Sequence, residues 1–170
     1  MTGRGGWWES RRTMSLSHVL VLVFLIGLFT GLRSLTPTAV TGWGARLGWF
    51  KLGAGLTWLG TTPAAVIFAV LAIVEIVNDK LPKTPPRTAP AGLIARIVLG
   101  SFAGGCLATA AGQGLLLGAI VALCGALVGT FGGYQARTWV VKALGSPDFV
   151  YAVIEDLIAI GGSLWVATRF

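Results

Sequence analysis

Charge is scarce in this sequence: 11% of its 170 residues are charged, 55% are hydrophobic, and the mean hydropathy is +0.81. A soluble domain usually has about a quarter of its residues charged, because a water-facing surface has to be covered. The scarcity therefore argues against a soluble globular domain. The net charge of +7 comes from basic residues spread between apolar runs. Without a concentrated basic face or a recognisable module, we expect no nucleic-acid partner.

Metal ligands and catalytic motifs are equally scarce. The sequence has one histidine, His18, and two cysteines, Cys106 and Cys124, with no CxxC or Cys/His ligand spacing. It also lacks GxSxG, HExxH and phosphate-loop motifs, and has no DxxD-like pair that would suit a metal-dependent lipid enzyme. We therefore expect no metal, no cofactor and no enzymatic activity, and we interpret both cysteines as buried packing residues.

Long apolar runs are what the sequence has instead. A membrane-crossing helix needs about 20 apolar residues, and about five candidates follow a polar, basic tail at residues 1–14. They are Leu16–Leu32, Pro63–Val77 with its flanks, two spans within residues 91–135 divided at 111–114, and Phe149–Ala167. We therefore predict an all-α, multi-pass transmembrane domain over residues 15–170.

The orientation is predicted from the basic residues. With the N-terminus inside, most of the Lys and Arg residues between the spans lie inside, and Arg33, Arg46, Lys51 and Arg169 lie outside. The positive-inside rule then favours an N-in, C-out topology. Residues 34–60 are too interrupted for an ordinary span and too apolar for a free loop. For that segment we expect an interfacial or re-entrant helix around Thr38–Leu47.

The motif Gly31-Leu-Arg-Ser-Leu-Thr-Pro37 ends the first span. Pro37 cannot continue a helix without freeing a carbonyl group, and the hydroxyl groups of Ser34 and Thr36 can satisfy freed backbone groups. Two interpretations remain open. A broken helix end that carries Arg33 can receive an anionic group. Alternatively, Arg33 extends toward the membrane surface and Pro37 only stops the helix.

Carboxylates inside apolar helices are the main candidates for chemistry. Glu75 and Glu155 lie within predicted spans, and Asp79 and Asp156 lie near them. Such residues face a partner or a water-filled pathway, because burying a lone carboxylate in a membrane costs a few kcal/mol. A carboxylate pair can exchange a proton for a cation. The structural alternative pairs Glu75 with Arg96, which is expected at a similar depth in the third span.

Short segments recur along the chain. Gly27-Leu-Phe-Thr-Gly31 resembles Gly129-Thr-Phe-Gly-Gly133, and Ala72-Ile-Val-Glu75 resembles Ala152-Val-Ile-Glu155. In the predicted topology these spans run in opposite directions, so spans one and two would repeat as spans four and five in inverted form, an arrangement common in transporters. Glycines at four-residue spacing indicate close helix packing, within the chain or in a homodimer; in span four they include Gly118, Gly125, Gly129 and Gly133.

The chain resembles a family of small bacterial integral membrane proteins that is defined only as a domain of unknown function. The resemblance rests on GLRSLTPTAVTGWGARLGW, VEIVNDKLPKTPPRT, GLIARIVLGSFAGG and LGSPDFVYAVIEDLIAI, and it covers about residues 16–168. The chain departs from the family's pattern over Lys83–Ala95. The resemblance implies a bacterial inner-membrane location and one domain of this extent, and it implies no activity.

Three functions are compatible with these features. The first is a small transporter or channel for an ion or small solute, dimeric because about five spans leave little room for a complete alternating-access machine. Its pathway would contain the charged residues Glu75, Glu155, Asp156, Arg33, Asp79 and Arg96. The second is a non-transporting scaffold or assembly protein with internally paired charges. The third is a lipid-processing enzyme. All three have the lipid bilayer as a partner.

Overall fold

The computed structural model describes residues 14–53, 55–80, 88–144 and 148–170. All regular elements in these ranges are helical, as predicted. They are α1 (Leu16–Leu32), α2 (Thr36–Arg46), a 3₁₀ turn (Thr57–Gly60), α3 (Thr62–Asn78), α4 (Pro90–Ala110), α5 (Leu115–Leu144) and α6 (Asp148–Ala167). Apart from Met14, the predicted basic tail lies outside the described residues.

Helices α4, α5 and α6 contain segments long and apolar enough to cross a membrane, and α1 and α3 are shorter apolar helices of 17 residues each. The protein is therefore a helical membrane protein. The predicted division between the third and fourth candidate spans is confirmed, because α4 ends at Ala110 and α5 begins at Leu115. Gly112 makes the tight turn between them with a positive φ of 74°, a conformation that favours glycine.

The bundle has two ends, which we name after residues that lie there. At the Arg33 end, Arg33 follows α1 and pairs with Asp79, which follows α3, and with Asp156 in α6. At the His18 end, the start of α1, the segment after α2 and the ends of α4 and α6 line one cavity. Helices α1 and α3 therefore run toward the Arg33 end, and α2, α4 and α6 run away from it.

This arrangement contradicts the predicted N-in, C-out topology. Met14 at the start of α1 and Phe170 at the end of the chain line the same cavity. The difference comes from α2, which has 11 residues and leads the chain back toward the His18 end. Lys51 and Arg169, expected across the membrane from the start of α1, lie beside it in that cavity. The charge bias behind the predicted orientation is thereby lost.

Helix α2 is a short buried helix. At 1.5 Å per residue it is about 16 Å long, roughly half the thickness of a bilayer core. Most of its residues, from Thr36 to Gly42, are buried inside the bundle. The helix predicted around Thr38–Leu47 is thus present, but the interfacial alternative is wrong. It is not re-entrant either, because it starts at the Arg33 end and the chain after it reaches the His18 end.

Glycines bring α1, α4 and α5 into close contact. Gly125 packs against the backbone of Phe24 and Leu28, and Gly129 packs against that of Leu28, so a Cβ atom at either glycine would collide with α1. Gly118 packs in the same way against Gly104 of α4. These contacts are made within one chain, and they form the centre of the bundle.

The predicted pairing of the inverted repeat is wrong. Helices α1 and α5 run in the same direction, because Gly27 contacts Ala122 and, about one turn later in both helices, Gly31 contacts Ala126. Helices α1, α2 and α3 run in directions opposite to those of α4, α5 and α6, respectively. An inverted repeat would therefore relate α1–α3 to α4–α6. Gly27-Leu-Phe-Thr-Gly31 then corresponds to Gly100-Ser-Phe-Ala-Gly104 of α4. The two motifs contact the same two residues of α5 in opposite order. Gly27 and Gly104 contact Ala122, and Gly31 and Gly100 contact Ala126.

The two cysteines have different surroundings. Cys106 in α4 is buried in the core, as predicted, whereas Cys124 in α5 is exposed. The prediction for Cys124 is wrong because α5 buries only the stripe that carries Ala122 and Ala126, and Cys124 lies off that stripe.

Candidate functional site

The candidate site lies where α1 stops and α2 starts. The backbone at Arg33 is extended (φ −137°, ψ 111°), which ends α1. Pro37 lies in the first turn of α2, where a missing N–H group is tolerated because it would have no helical acceptor. The motif from Gly31 to Pro37 therefore ends α1 and also begins α2. Its break leaves backbone amide groups that need acceptors from elsewhere.

Glu75 of α3 supplies those acceptors. The N–H of Ser34 donates to Oε1 at 2.7 Å, the N–H of Leu35 donates to Oε2 at 2.8 Å, and the Ser34 hydroxyl also donates to Oε1. A carboxylate at this position is further stabilised by the positive end of the α2 dipole. Glu75 thus caps α2, and the expected pairing with Arg96 is replaced by these contacts.

Arg33 lies between carboxylates from two other helices. Its side chain is fully buried, and Nη1 donates to Asp79. Nε lies 2.6 Å from Oδ1 of Asp156, in an ion pair whose N–H is not aligned for a hydrogen bond. The other oxygen of Asp156 accepts from Nζ of Lys80 at 2.7 Å. We call Arg33, Asp79, Lys80 and Asp156 the Arg33 network. Its two positive and two negative formal charges balance.

Exposure changes stepwise across the Arg33 network. The side chain is 0% exposed for Arg33, 10% for Asp156, 22% for Asp79 and 25% for Lys80. The carboxylates therefore lie between a buried guanidinium group and a partly exposed ammonium group. Lys80 and Asp79 are therefore the most accessible members of the network, and Arg33 is the least accessible.

Several buried polar atoms at this break have no hydrogen-bond partner among the described residues. They include Nη2 of Arg33 and the hydroxyl groups of Thr36 and Thr38 in the first turn of α2. An unsatisfied buried polar atom costs about 1–3 kcal/mol, so most such atoms in proteins have a partner. All three groups can donate a hydrogen bond, and all three belong to one six-residue segment, residues 33–38.

The remaining predicted residues lie elsewhere. Glu155 directly precedes Asp156 in α6 and is 3% exposed, and Arg96 is 5% exposed in α4. Nη1 of Arg96 donates to the carbonyl of Gly92 at 3.0 Å. Both Arg96 and Glu155 take part in further interactions, so neither is an unpaired charge. The carbonyl of Gly133 accepts from the hydroxyl of Tyr151 at 3.3 Å, which links α5 to α6.

The structure thus brings together residues that the sequence pattern had assigned to opposite sides of the membrane. Arg33 was expected at the outer end of the first span, with Asp79 and Asp156 near the inner side. Lys80 is not among the predicted site residues, because it follows the second predicted span and belongs to the basic residues between the spans. Its position directly after Asp79 is the signal that was available, since its long side chain can extend back along α3.

Comparison with known proteins places the chain in a family. Residues 20–169 match the family described as "Domain of unknown function (DUF4126)". The chain belongs to this family. The match covers the whole described helical bundle apart from the start of α1 and the last residue, and it confirms the resemblance to an uncharacterised family. No curated protein and no solved structure matches the chain.

Proposed function

We propose that this protein is a small membrane transporter that moves a small anion together with a proton through the Arg33 network. The observation that carries the proposal is the unpartnered Nη2 group of Arg33, buried beside two carboxylates at a broken helix. Broken helices with buried charges are the usual binding elements of secondary transporters. The hydroxyl groups of Thr36 and Thr38 offer additional donors to an anion held there.

Charge balance explains why a proton would accompany the anion. The Arg33 network is formally neutral, so an anion that enters it adds one uncompensated negative charge. Protonation of Asp79 or Asp156 removes one negative charge and weakens the hold of that carboxylate on Arg33. An anion then replaces the carboxylate without a change in net charge. If the anion and the proton enter together, neither of them adds an unpaired charge to the low-dielectric site, where such a charge is energetically costly.

The proposal includes a location and an assembly. We infer a multi-pass protein of the bacterial inner membrane that acts as a homodimer. Helix α3 supports a partner of some kind, since its residues Ala65 and Ala72 are buried while most of its large apolar side chains are exposed. Lipid covers such a face equally well, so cross-linking of two copies in native membranes is the test of the dimer.

A flux measurement tests the transport proposal. The full-length protein is reconstituted into liposomes that contain a pH-sensitive dye, and inward gradients of chloride, nitrate and phosphate are imposed separately with the membrane potential clamped. We expect at least one anion to acidify the lumen. Arg33→Gln should reduce that rate at least tenfold, because one lost charged hydrogen bond corresponds to about that factor. Lys142→Gln, which changes an exposed lysine of α5, is the matched control.

The alternative is a non-transporting scaffold, and one observation favours it. Glu75, Asp79 and Asp156 all have partners within the chain, as a network that only fixes helix positions would require. If none of the three anions acidifies the lumen beyond empty liposomes, and Arg33→Gln only lowers stability, the scaffold is the better account.

A further inference from the structure

An open cavity of about 930 Å³ lies at the His18 end, far from the Arg33 network. Its walls come from parts of the chain distant in sequence: the start of α1, residues 49–51, the end of α4 and the end of α6. The volume is that of a site for an organic ligand and is much larger than a single inorganic ion needs.

The charged side chains that are described in the lining of this cavity are all basic. Lys51 and Arg169 are basic, His18 is a third nitrogen-bearing side chain, and none of the described lining residues is acidic. The carbonyl ends of α4 and α6 outweigh the positive end of the α1 dipole, so the preference for an anion comes from the basic side chains alone. The cavity therefore favours an anionic group.

Arg169 is held in a defined position. Its guanidinium carbon lies 4.8 Å from the centre of the Trp165 ring, in a cation–π contact. The N–H groups of the guanidinium that point away from the ring remain available for hydrogen bonds. A phosphate group fits the edge of a guanidinium group, because two parallel N–H groups can bind two of its oxygens.

Apart from the hydroxyl group of Ser15, aromatic and apolar side chains form the rest of the described lining. The rings of Phe50 and Phe170 meet edge to face at 6.2 Å, and Met14 lies against the same cluster. Trp49 and Trp165 also line the cavity and are 38% and 49% exposed. Exposed tryptophans at the ends of apolar helices are typical of the level of lipid headgroups. The cavity thus joins a basic part to an apolar part.

We propose that this cavity binds the phosphate headgroup of an anionic phospholipid, with Lys51 and Arg169 on the phosphate and the Phe50–Phe170 pair against the glycerol and upper acyl chain. A free phosphate ion would use the basic part alone and leave the aromatic surface uncovered. The proposal is independent of transport, because it involves no residue of the Arg33 network.

Thermal unfolding of the full-length protein in a zwitterionic detergent tests the proposal. Added phosphatidylglycerol should raise the unfolding midpoint more than phosphatidylcholine does, because a ligand that binds only the folded state stabilises it. Lys51→Gln and Arg169→Gln should each weaken the apparent affinity for phosphatidylglycerol about tenfold. Arg46→Gln is the control, because Arg46 is also basic but bonds Thr62 and does not line the cavity.

Several outcomes of this experiment would overturn the proposal that the cavity binds an anionic phospholipid. An unchanged phosphatidylglycerol effect in both variants overturns the proposal, and so does an equal loss in Arg46→Gln, which would indicate unspecific charge attraction. Inorganic phosphate at the same concentration should give no shift; if it reproduces the lipid effect, the ligand is a soluble anion and the lipid assignment is wrong. If a variant unfolds, native mass spectrometry of the conservative Arg169→Lys protein and of Lys51→Gln replaces melting, and undiminished lipid adducts overturn the proposal.

Discussion

The two ends of this small bundle use basic residues in opposite ways. At the Arg33 end, a fully buried arginine is held by Asp79 and Asp156, and Lys80 completes a neutral set. At the His18 end, Lys51 and Arg169 line an open cavity in which no described lining residue has an acidic side chain. A charge buried in a membrane protein needs a counter-charge, whereas an exposed charge is solvated. Basic charge is thus paired within the chain at the Arg33 end and has no acidic side-chain partner among the described lining residues at the His18 end.

The comparison predicts its largest effect for Arg33. Arg33→Met leaves Asp79 and Asp156 close together without the cation between them, and breaking a buried ion pair typically destabilises a protein by about 3–5 kcal/mol. Arg169→Met at the other end should change stability by only about 0.5 kcal/mol. Unfolding by SDS titration of both variants, in mixed micelles without anionic lipid, measures the difference. Equal effects would refute the contrast between the two ends.

The start of α2 at the Arg33 end and the start of α1 at the His18 end provide a second contrast. Glu75→Ala removes the acceptor of two backbone amides at the start of α2, so it should lower the free energy of unfolding by about 2 kcal/mol. Ser15→Ala removes the cap of α1 at the His18 end, which accepts from the N–H of His18 at 3.4 Å, and should lower it by about 0.5 kcal/mol. Glu75→Gln keeps one carbonyl acceptor and should fall between them. The same titration checks the order, and a larger effect for Ser15→Ala would contradict it.

Within the Arg33 network, the smallest effect is expected for Lys80, its most exposed member. Lys80→Gln should destabilise the protein by about 1 kcal/mol, because a partly exposed ion pair is screened by solvent. The effect should shrink as salt is raised, whereas that of Arg33→Met should not. Unfolding midpoints at low and high salt concentration measure this. A salt-independent loss for Lys80→Gln would mean that its pair with Asp156 is as shielded as that of Arg33.

Much of the fold follows from local sequence. The five apolar helices, three long and two shorter, the division at Gly112 and the helix break before Pro37 agree with hydropathy and with proline and glycine chemistry. The class of membrane protein was therefore predictable. Helix α2 was predictable as a helix and not as a pass through the bundle, because 11 residues are too few to suggest one. Because the predicted topology does not count α2 as a pass through the bundle, it assigns the opposite direction to every later helix.

The partners within the site were not predictable. Glu75, Asp79, Asp156 and Arg33 were recognisable as residues that need counter-charges, since apolar surroundings penalise each of them. Which of them meet depends on helix directions, and those depended on α2. With the wrong directions, Arg33 had no carboxylate at its level, and Glu75 was matched with Arg96. Physical reasoning on local sequence thus identified the members of the site, and only the tertiary structure identified the pairs.

The most direct test of the proposed coupling is a comparison of anion flux with proton flux in liposomes that contain Asp156→Asn or Asp79→Asn protein. An asparagine imitates the protonated carboxyl group permanently, so in one of these variants the anion should enter without a proton. The account predicts that anion uptake, followed with a tracer, persists in that variant while acidification of the lumen is lost. If uptake and acidification fall together in both variants, or if both remain coupled as in the wild type, the Arg33 network does not carry the proton.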